Sequence, residues 1–354
     1  MKRIRVLIAD DSRLARELLR DFLECEEDIE VVGEAADGRQ AVELARELKP
    51  DLVTMDLEMP VMSGLDAIEE IMCGKAVPIL VVSSVADARN ALAAVGRGAL
   101  EVMAKPDYTP EQAAELVAKV RLLAGVSVIT RLRPRKAPPP QGMPVAPVAA
   151  PSPSPRGADH ARVFAIASST GGPQALARIL SALPADFPCP VVIAQHISDG
   201  FAAGMAEWLS GLCKLPVRLA ADGEALRPGV ILVSPSERHL SITPTRRVAL
   251  VERGPRDIYH PNCDVLLNSV ADAYGRQAVG IILTGMGSDG AKGMASIRGK
   301  GGMTLAQDEA TSVIFGMNRV AIESGAVRRV LPVEAIVGAM TELAVPLPMS
   351  IQAG

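Results

Sequence analysis

The sequence predicts two α/β domains, each organised around a doubly wound and mainly parallel β-sheet. Short apolar runs of strand length alternate with amphipathic stretches whose apolar positions recur at helical spacing, which is typical of successive β–α units. Hydrophobic residues make up 49% of the 354 residues, but aromatic residues make up only 3%. A core of Val, Ile, Leu, Met and Ala suits parallel strands that are buried on both faces. The length exceeds what one core usually serves, so two domains are expected.

The first part of the chain contains five predicted β–α units. Amphipathic stretches at 13–24 and 39–49 are typical of its helices. Because parallel strands need crossover connections, these units predict a five-stranded parallel sheet with helices on both faces. The predicted strands are the apolar runs at 4–9, 29–32, 52–55, 77–82 and 100–104.

The second part of the chain shows the same alternation of strands and helices, which predicts a second, mainly parallel sheet. A short antiparallel hairpin is predicted around 239–251. Helical stretches lie between the remaining runs, so the connections again predict a doubly wound arrangement. The predicted strands of this sheet are the runs at 162–167, 190–194, 230–233 and 279–283.

A proline-rich segment divides the two parts. Residues 131–156 contain nine prolines, and the stretch between Thr130 and Gly157 has five basic residues and no acidic one. Proline at this density removes backbone donors and prevents helix and sheet, so an extended linker is predicted. The predicted organisation is a first domain over 1–124, a linker over 125–158 and a second domain over 159–354.

Composition excludes several classes of function. The net charge of −4 gives no general attraction to nucleic acid or to an anionic membrane, and no apolar run is long enough to span a bilayer. The apolar run near the N-terminus is short and ends in two aspartates, so it predicts a strand and not a signal peptide. The five cysteines are scattered without a C-x-x-C pair, which favours a reducing, cytoplasmic setting.

Acidic residues follow the predicted strands of the first domain. Asp10 and Asp11 follow the first strand, Asp56 follows the third, Ser83 ends the fourth and Lys105 follows the fifth. Functional groups of parallel sheets collect beyond the carboxyl ends of the strands, so these side chains are expected to converge. Taken singly, each carboxylate is better explained as a helix cap or a solvated turn residue. Together they predict a Mg²⁺ site beside a carboxylate that can attack a phosphoryl group.

This spacing resembles the receiver domain of two-component response regulators over roughly residues 3–123. Such domains have a flavodoxin-like fold, and the resemblance implies that a histidine kinase phosphorylates Asp56. It also implies that Ser83 and Lys105 sense the phosphoryl group. Val102 stands where the family often has an aromatic residue, so no aromatic switch is expected there. The implied Mg²⁺ ligands are Asp10, Asp11, Asp56 and the backbone carbonyl of Glu58.

Three strands of the second domain end in residue types that suit nucleophilic catalysis. Ser168 and Ser169 follow one strand, His196 follows the next, and Asp289 follows the strand at 279–283. A serine nucleophile needs a base, and the base needs a carboxylate to fix its tautomer. The serines are alternatively caps of the helix that follows, and Asp289 is alternatively a turn residue.

A competing interpretation comes from the glycines around Asp289. Gly285, Gly287 and Gly290 match the dinucleotide-binding fingerprint, and Asp308 follows at a suitable distance. The turn lies deep inside its domain, however, and Asp289 would repel a pyrophosphate, so the hydrolase interpretation is preferred.

The whole chain resembles the chemotaxis protein-glutamate methylesterase (CheB) family. The resemblance implies Ser169 as nucleophile, His196 as base and Asp289 as its orienting carboxylate, with the backbone amides of Thr170 and Met286 as the oxyanion hole. The motifs that carry it are ASSTGG at 167–172, QH at 195–196, SPSERHL at 234–240, HPNCDVL at 260–266, LTGMGSDGAKGM at 283–294 and AQDEATSVIFGM at 306–317.

The departures from the family pattern are modest. Ala167 and Ser168 stand where the family usually has Gly-Ala, and Asn318 stands where proline is common. Residues 197–199 replace a Met-Pro-Pro-like stretch, which puts the fit of the substrate in question more than the chemistry.

The resemblance implies a phosphorylation-activated serine esterase for chemotaxis adaptation. It would demethylate glutamate γ-methyl esters on chemoreceptors with release of methanol, and some family members also deamidate receptor glutamines. The esterase would need no cofactor, and neither nucleic acid nor membrane insertion is expected. Two other hypotheses are a transcriptional regulator, which lacks a helix-turn-helix pattern here, and a non-catalytic scaffold, which the intact Ser169, His196 and Asp289 disfavour.

Overall fold

The computed structural model describes residues 3–84, 88–128, 162–254 and 257–345. Most of the predicted proline-rich linker lies outside these ranges. Val126 and Val128, at its predicted start, pack against the core of the first domain. No helix in the described ranges is long and apolar enough to cross a membrane.

The N-terminal domain is a five-stranded, all-parallel sheet with the order β2-β1-β3-β4-β5. Its strands are β1 (Ile4–Ala9), β2 (Ile29–Ala35), β3 (Leu52–Met55), β4 (Ile79–Ser83) and β5 (Glu101–Ala104). All five predicted strands are present: β1 and β3 have the predicted limits, and the limits of β2, β4 and β5 differ from the prediction by one to three residues. The central strands are buried on both faces, which explains their continuous apolar sequence.

Five helices flank this sheet. They are α1 (Arg13–Glu24), α2 (Gly38–Leu48), α3 (Gly64–Cys73), α4 (Ala88–Arg97) and α5 (Pro110–Leu123). Four begin at a residue whose side chain accepts a backbone N–H of the first turn, namely Ser12, Asp37, Ser63 and Thr109. These caps satisfy amides that have no partner within the helix, so the helix starts are encoded locally.

The C-terminal domain contains a seven-stranded parallel sheet with the order β14-β13-β12-β6-β7-β9-β8 and a separate antiparallel pair. The sheet strands are β6 (Val163–Ser168), β7 (Val191–Gln195), β8 (Val217–Leu219), β9 (Ile231–Val233), β12 (Ala278–Ile282), β13 (Met303–Gln307) and β14 (Arg329–Leu331). The pair is β10 (His239–Ile242) with β11 (Val248–Val251). Four sheet strands and the hairpin were predicted, whereas β8, β13 and β14 were missed. Two of these three are only three residues long, which leaves little periodicity to detect.

The helices of this domain cover both faces of its sheet. They are α6 (Gly172–Ala182), α7 (Phe201–Leu212), α8 (Cys263–Tyr274), α9 (Ala291–Gly299), α10 (Met317–Glu323) and α11 (Val333–Ala344). One hydrophobic cluster contains α6, α7 and α11, and another contains α8, α9 and α10. The arrangement is doubly wound, as predicted, so the carboxyl ends of β6, β7 and β12 meet at one edge.

The two domains pack directly against each other through α4 and α7. Gly96 lies close to the Trp208 indole in this contact, because a Cβ there would lie 3.8 Å from the ring. Gln174 Nε2 donates a 2.7 Å hydrogen bond to the Ala99 carbonyl. These contacts position the end of the first sheet over the carboxyl edge of the second.

Candidate active site and acidic site

The carboxyl end of the N-terminal sheet carries clustered carboxylates and one lysine. Asp10 and Asp56 follow the neighbouring strands β1 and β3 and are 1% and 5% exposed. Lys105 Nζ lies 2.7 Å from Asp10 Oδ2 and 2.9 Å from Asp56 Oδ2. Asp11 is exposed, but a carboxylate oxygen of each of the three aspartates lies within 4.8 Å of the others. The structure therefore brings together the acidic residues and the lysine that the sequence predicts.

The environment of Asp56 disfavours its negative charge. Burial is the largest influence and raises the pKa of Asp56 above its ordinary value, although a hydrogen bond from Lys105 opposes this. The nearby charge of Asp10 raises the pKa of Asp56 further. A cation placed among these carboxylates would remove the repulsion.

The chemistry of the donors fits Mg²⁺ and a phosphoryl group. The three carboxylates supply the oxygen ligands that this ion prefers, and one lysine lies beside them. The Ser83 hydroxyl at the end of β4 is buried and has no hydrogen-bond partner in the described ranges, so a polar group is available there. Glu58 lies two residues beyond Asp56 and is exposed.

A second site lies at the carboxyl edge of the C-terminal sheet. Ser169 follows β6, His196 follows β7 and Asp289 lies in the loop after β12, as the sequence predicts. His196 Nε2 lies 2.7 Å from Asp289 Oδ2, and Ser169 and His196 line one cavity. In the described part of the chain no hydrogen bond joins the Ser169 hydroxyl to His196. Since Nε2 faces Asp289, Nδ1 is the ring nitrogen left for a proton from Ser169.

Asp289 is almost fully buried, and both of its oxygens accept hydrogen bonds. Oδ2 accepts from the Cys263 amide at 2.6 Å, in addition to its contact with His196. Oδ1 accepts from the amides of Asp264 and Gly290 at 2.9 and 3.0 Å. Burial alone would raise its pKa, but the contact with His196 and these amides hold the pKa of Asp289 below its ordinary value. A carboxylate that stays ionised here can fix the His196 tautomer.

Two backbone amides at the site are free to donate. Thr170 N–H and Met286 N–H make no hydrogen bond within the described parts of residues 162–345. The two loops are close, because a Cβ at Gly285 would lie 2.6 Å from the Ser169 Cβ. Unpaired amides beside a hydroxyl are what an oxyanion requires.

The alternative interpretations find little support in this geometry. The N-cap residue of α6 is Gly171, and no side chain caps this helix, so the serines before it are not its caps. In the glycine-rich turn before α9, the Gly290 amide already donates to Asp289. This occupied amide and the buried carboxylate disfavour a pyrophosphate at the turn.

Two neighbours of His196 were not singled out from the sequence. Cys263 Sγ lies 3.4 Å from His196 Nε2, and the Tyr259 ring stacks on the imidazole with centroids 5.0 Å apart. Both residues lie in or beside the motif at 260–266, which was the signal available. Their contacts restrict the orientation of the imidazole ring.

The cavity at Ser169 is closed partly by the N-terminal domain. It is lined by residues from both domains. The N-terminal residues come from α4 and β5 and the turn between them, and they include Val102, which is buried. The lining residues of that domain are Leu92, Val95, Leu100, Glu101 and Val102. The candidate active site is therefore covered in this structure.

The fold and the two sites define a class of protein: a response-regulator type of acidic pocket joined to an α/β domain that carries a Ser–His–Asp arrangement. Comparison with known families agrees. The family model described as response regulator receiver domain matches residues 6–121, and the model described as CheB methylesterase matches residues 164–340.

Similar proteins cover almost the whole chain. A protein-glutamate methylesterase/protein-glutamine glutaminase from Paramagnetospirillum magneticum is 55% identical over 96% of each chain. One from Anaeromyxobacter dehalogenans is 45% identical over 96% of this chain and 97% of its own. The crystal structure of the Thermotoga maritima CheB methylesterase catalytic domain is 36% identical, with a TM-score of 0.50 over 51% of this chain and 98% of that one. The chain belongs to the CheB methylesterase family and carries an N-terminal receiver domain.

Proposed function

We propose that this protein hydrolyses γ-glutamyl methyl esters on chemoreceptors by a Ser169–His196–Asp289 mechanism. The observation that carries the proposal is the His196–Asp289 pair beside Ser169, with free amides at Thr170 and Met286. The names of the two relatives support the same substrate class.

Acylation uses the groups that converge at the cavity. The Ser169 oxygen attacks the ester carbonyl carbon and passes its proton to His196 Nδ1. The carbonyl oxygen becomes an oxyanion that accepts hydrogen bonds from the Thr170 and Met286 amides. Collapse of this intermediate breaks the bond to the methoxy oxygen, which takes the proton from His196 and leaves as methanol.

Deacylation repeats these steps with water. His196 accepts a proton from water as the water oxygen attacks the acyl-Ser169 carbonyl, and the bond to the Ser169 oxygen then breaks. The serine recovers its proton, and glutamate is released. Asp289 stays ionised throughout and stabilises the imidazolium. The same route applied to a glutamine amide releases ammonia, so we extend the proposal to deamidation.

We propose that the receiver domain inhibits this reaction until it is phosphorylated. Its α4 and β5 residues line the cavity that contains Ser169 and His196, and a linker keeps the two domains at high effective concentration. Transfer of a phosphoryl group from a histidine kinase to Asp56 would alter the packing at the end of β5 and uncover the cleft.

Mg²⁺ is the implied cofactor of this transfer. Asp10, Asp11 and Asp56, with the Glu58 carbonyl, would hold it, and it would neutralise negative charge during phosphoryl transfer. Lys105 holds the carboxylates of Asp10 and Asp56 together. Ser83 presents its hydroxyl at the same edge of the sheet. The scattered cysteines support a reducing compartment, and we place the protein in the cytoplasm.

Methanol release from methylated receptor membranes tests the proposal, with and without a small-molecule phosphodonor. We expect Ser169→Ala to lower the phosphodonor-stimulated rate at least ~1,000-fold, because the nucleophile is absent. Ser324→Ala, at an exposed serine after α10, is the matched control and should keep the wild-type rate. Substantial methanol release by Ser169→Ala would disprove the assignment.

A further inference from the structure

The side chain of Gln195, the last residue of β7, connects the two strand ends that carry the proposed nucleophile and base. It is 3% exposed, and its amide makes three hydrogen bonds. Its Oε1 accepts from the Ser168 hydroxyl at 2.6 Å. Its Nε2 donates to the backbone carbonyls of Ser169 and His196, both at 2.8 Å. All the hydrogen-bonding groups of this buried amide contact residues at the active site.

The bond to the Ser169 carbonyl determines where the next amide points. In a planar trans peptide, the carbonyl of one residue and the N–H of the next point in opposite directions. Gln195 Nε2 and the Gly172 amide, at 2.7 Å, hold the Ser169 carbonyl from the inner side. The Thr170 N–H therefore points away from Gln195, and it is one of the two free amides at the site.

The Met286 amide, the other free amide, is oriented in the same way, through the carbonyl of the residue before it. The Gly285 carbonyl accepts a 2.8 Å hydrogen bond from the amide of Met317, the first residue of α10. The Met286 N–H, across that peptide plane, is thereby directed the opposite way. Both carbonyls accept from the amide of the first residue of a helix, and the Ser169 carbonyl also accepts from the Gln195 side chain.

We propose that Gln195 is a positioning residue for the hydrolytic reaction: it orients the Thr170 amide toward the oxyanion and fixes the backbone of His196. The inference rests on the proposed function, since it assigns Thr170 to the oxyanion hole. Stabilisation of an oxyanion depends on donors that need no reorganisation as charge develops. A buried amide that holds both strand ends supplies this rigidity.

The backbone carbonyls of Ser169 and His196 decide which way round the Gln195 amide sits, because a flipped amide would direct oxygen against oxygen. The Ser168 hydroxyl, which donates to Oε1, holds the amide in that orientation. Space for the amide comes from Gly172, because a Cβ there would lie 2.0 Å from Gln195 Oε1. Ser168 stands at a position where the family pattern has alanine, so this hydroxyl is a feature of the present chain.

The test compares Gln195→Met with wild type in the full-length protein, activated by a phosphodonor. Methionine has nearly the same length but cannot make the three hydrogen bonds. Active sites are counted by exhaustive labelling with a fluorophosphonate, so that kcat refers to competent serines only. We expect kcat for methanol release to fall about 10–100-fold while KM is unchanged. Acylation and deacylation of an activated ester should slow by similar factors, because both pass through an oxyanion.

The controls separate this inference from the function on which it depends. Gln277→Met, at an exposed glutamine far from the site, should leave kcat unchanged. Ser169→Ala must be inactive; if it retains activity, the proposed function itself is wrong. If Ser169→Ala is inactive and Gln195→Met keeps a kcat within twofold of wild type, the positioning role is wrong. A loss confined to the number of labelled serines, with normal kcat per site, also overturns it.

Ser168→Ala decides the case if Gln195→Met fails to fold. It keeps Gln195 and removes only one of the three hydrogen bonds that hold its amide, the one that the Ser168 hydroxyl donates to Oε1. A fall in kcat of about 2–5-fold at constant KM supports the inference. An unchanged kcat per labelled serine overturns it.

Discussion

Two buried aspartates, one in each domain, have pKa values that their surroundings shift in opposite directions. Asp56 shares one lysine with Asp10, lies near a serine hydroxyl that has no partner in the described ranges, and has a raised pKa. Asp289 accepts three backbone amides and contacts His196, and its pKa is lowered. Both are buried, so burial alone does not determine the outcome. The hydrogen-bond donors and the charges around each carboxylate do, since Asp10 raises the pKa of Asp56 and His196 lowers that of Asp289.

The two sites therefore differ in how a bound ligand can change them. The Asp56 site is electrostatically incomplete, so a cation and a phosphoryl group can change its energy and hence its conformation. The Asp289 site is complete without any ligand, because its hydrogen bonds hold the base in one tautomer before substrate arrives. In the proposed function, the unsatisfied site acts as the switch and the satisfied site acts as the catalytic centre.

The largest effect is expected from changing the satisfied aspartate. Asp289→Asn introduces an amide N–H₂ where the oxygens now accept hydrogen bonds, so His196 loses its preferred tautomer. We expect kcat for methanol release to fall about 10⁴-fold. Asp272→Asn, at an exposed aspartate on α8, is the matched control and should retain activity. A loss below tenfold for Asp289→Asn would show that the carboxylate is not needed.

Changing the unsatisfied aspartate should abolish regulation but not the basal reaction. Asp56→Asn removes the phosphoacceptor, so the phosphodonor should no longer raise methanol release above the basal rate. In wild type, Mg²⁺ at about ten times its Kd should add about 1.4 kcal/mol to the free energy of unfolding. Thermal melts with Mg²⁺ measure this gain, which Asp56→Asn should largely lose. Phosphodonor activation that persists in Asp56→Asn would contradict the assignment.

An intermediate effect is expected at the contact between the two domains. Trp208→Ala removes the indole that packs near Gly96, so the receiver should cover the cleft less of the time. We expect the unphosphorylated basal rate to rise about tenfold, with little change in the phosphorylated rate. Gly96→Glu tests the same contact from the opposite domain, since its Cβ would lie 3.8 Å from the Trp208 ring. If both variants keep the wild-type basal rate, this contact does not inhibit the enzyme.

The smallest effect is a pH dependence of stability with opposite sign at the two aspartates. The raised pKa of Asp56 means that its ionised form costs stability, and the cost disappears as pH falls through that pKa. The lowered pKa of Asp289 means that its contribution is complete above about pH 3.9 and is lost only below it.

Thermal melts between pH 7 and 4.5 without Mg²⁺ measure this difference. Asp56→Asn should be more stable than wild type at pH 7, and this difference in stability should become smaller toward pH 4.5. If the stability difference between Asp56→Asn and wild type grows on acidification, the assigned direction of the Asp56 pKa shift is wrong.

Much of the architecture and of both sites was predictable, because parallel strands bring their carboxyl ends to one edge. Strand limits near Ala9, Met55 and Gln195 were enough to place acidic and catalytic residue types together. The three missed strands form one end and the opposite edge of the second sheet. Their pairing is decided by neighbouring strands and not by their own short sequences.

The sequence by itself determined the α/β class, the two-domain order and the residue types at each strand end, since these follow from periodicity and motif spacing along the chain. Only the tertiary structure decided that α4 and β5 cover Ser169 and that Gln195 joins two strand ends. It also decided that the pKa values of Asp56 and Asp289 are shifted in opposite directions. These properties depend on distances between residues far apart in the chain, such as Ala99 and Gln174, and on how many donors survive around a buried charge. Spacing along one chain does not contain either quantity.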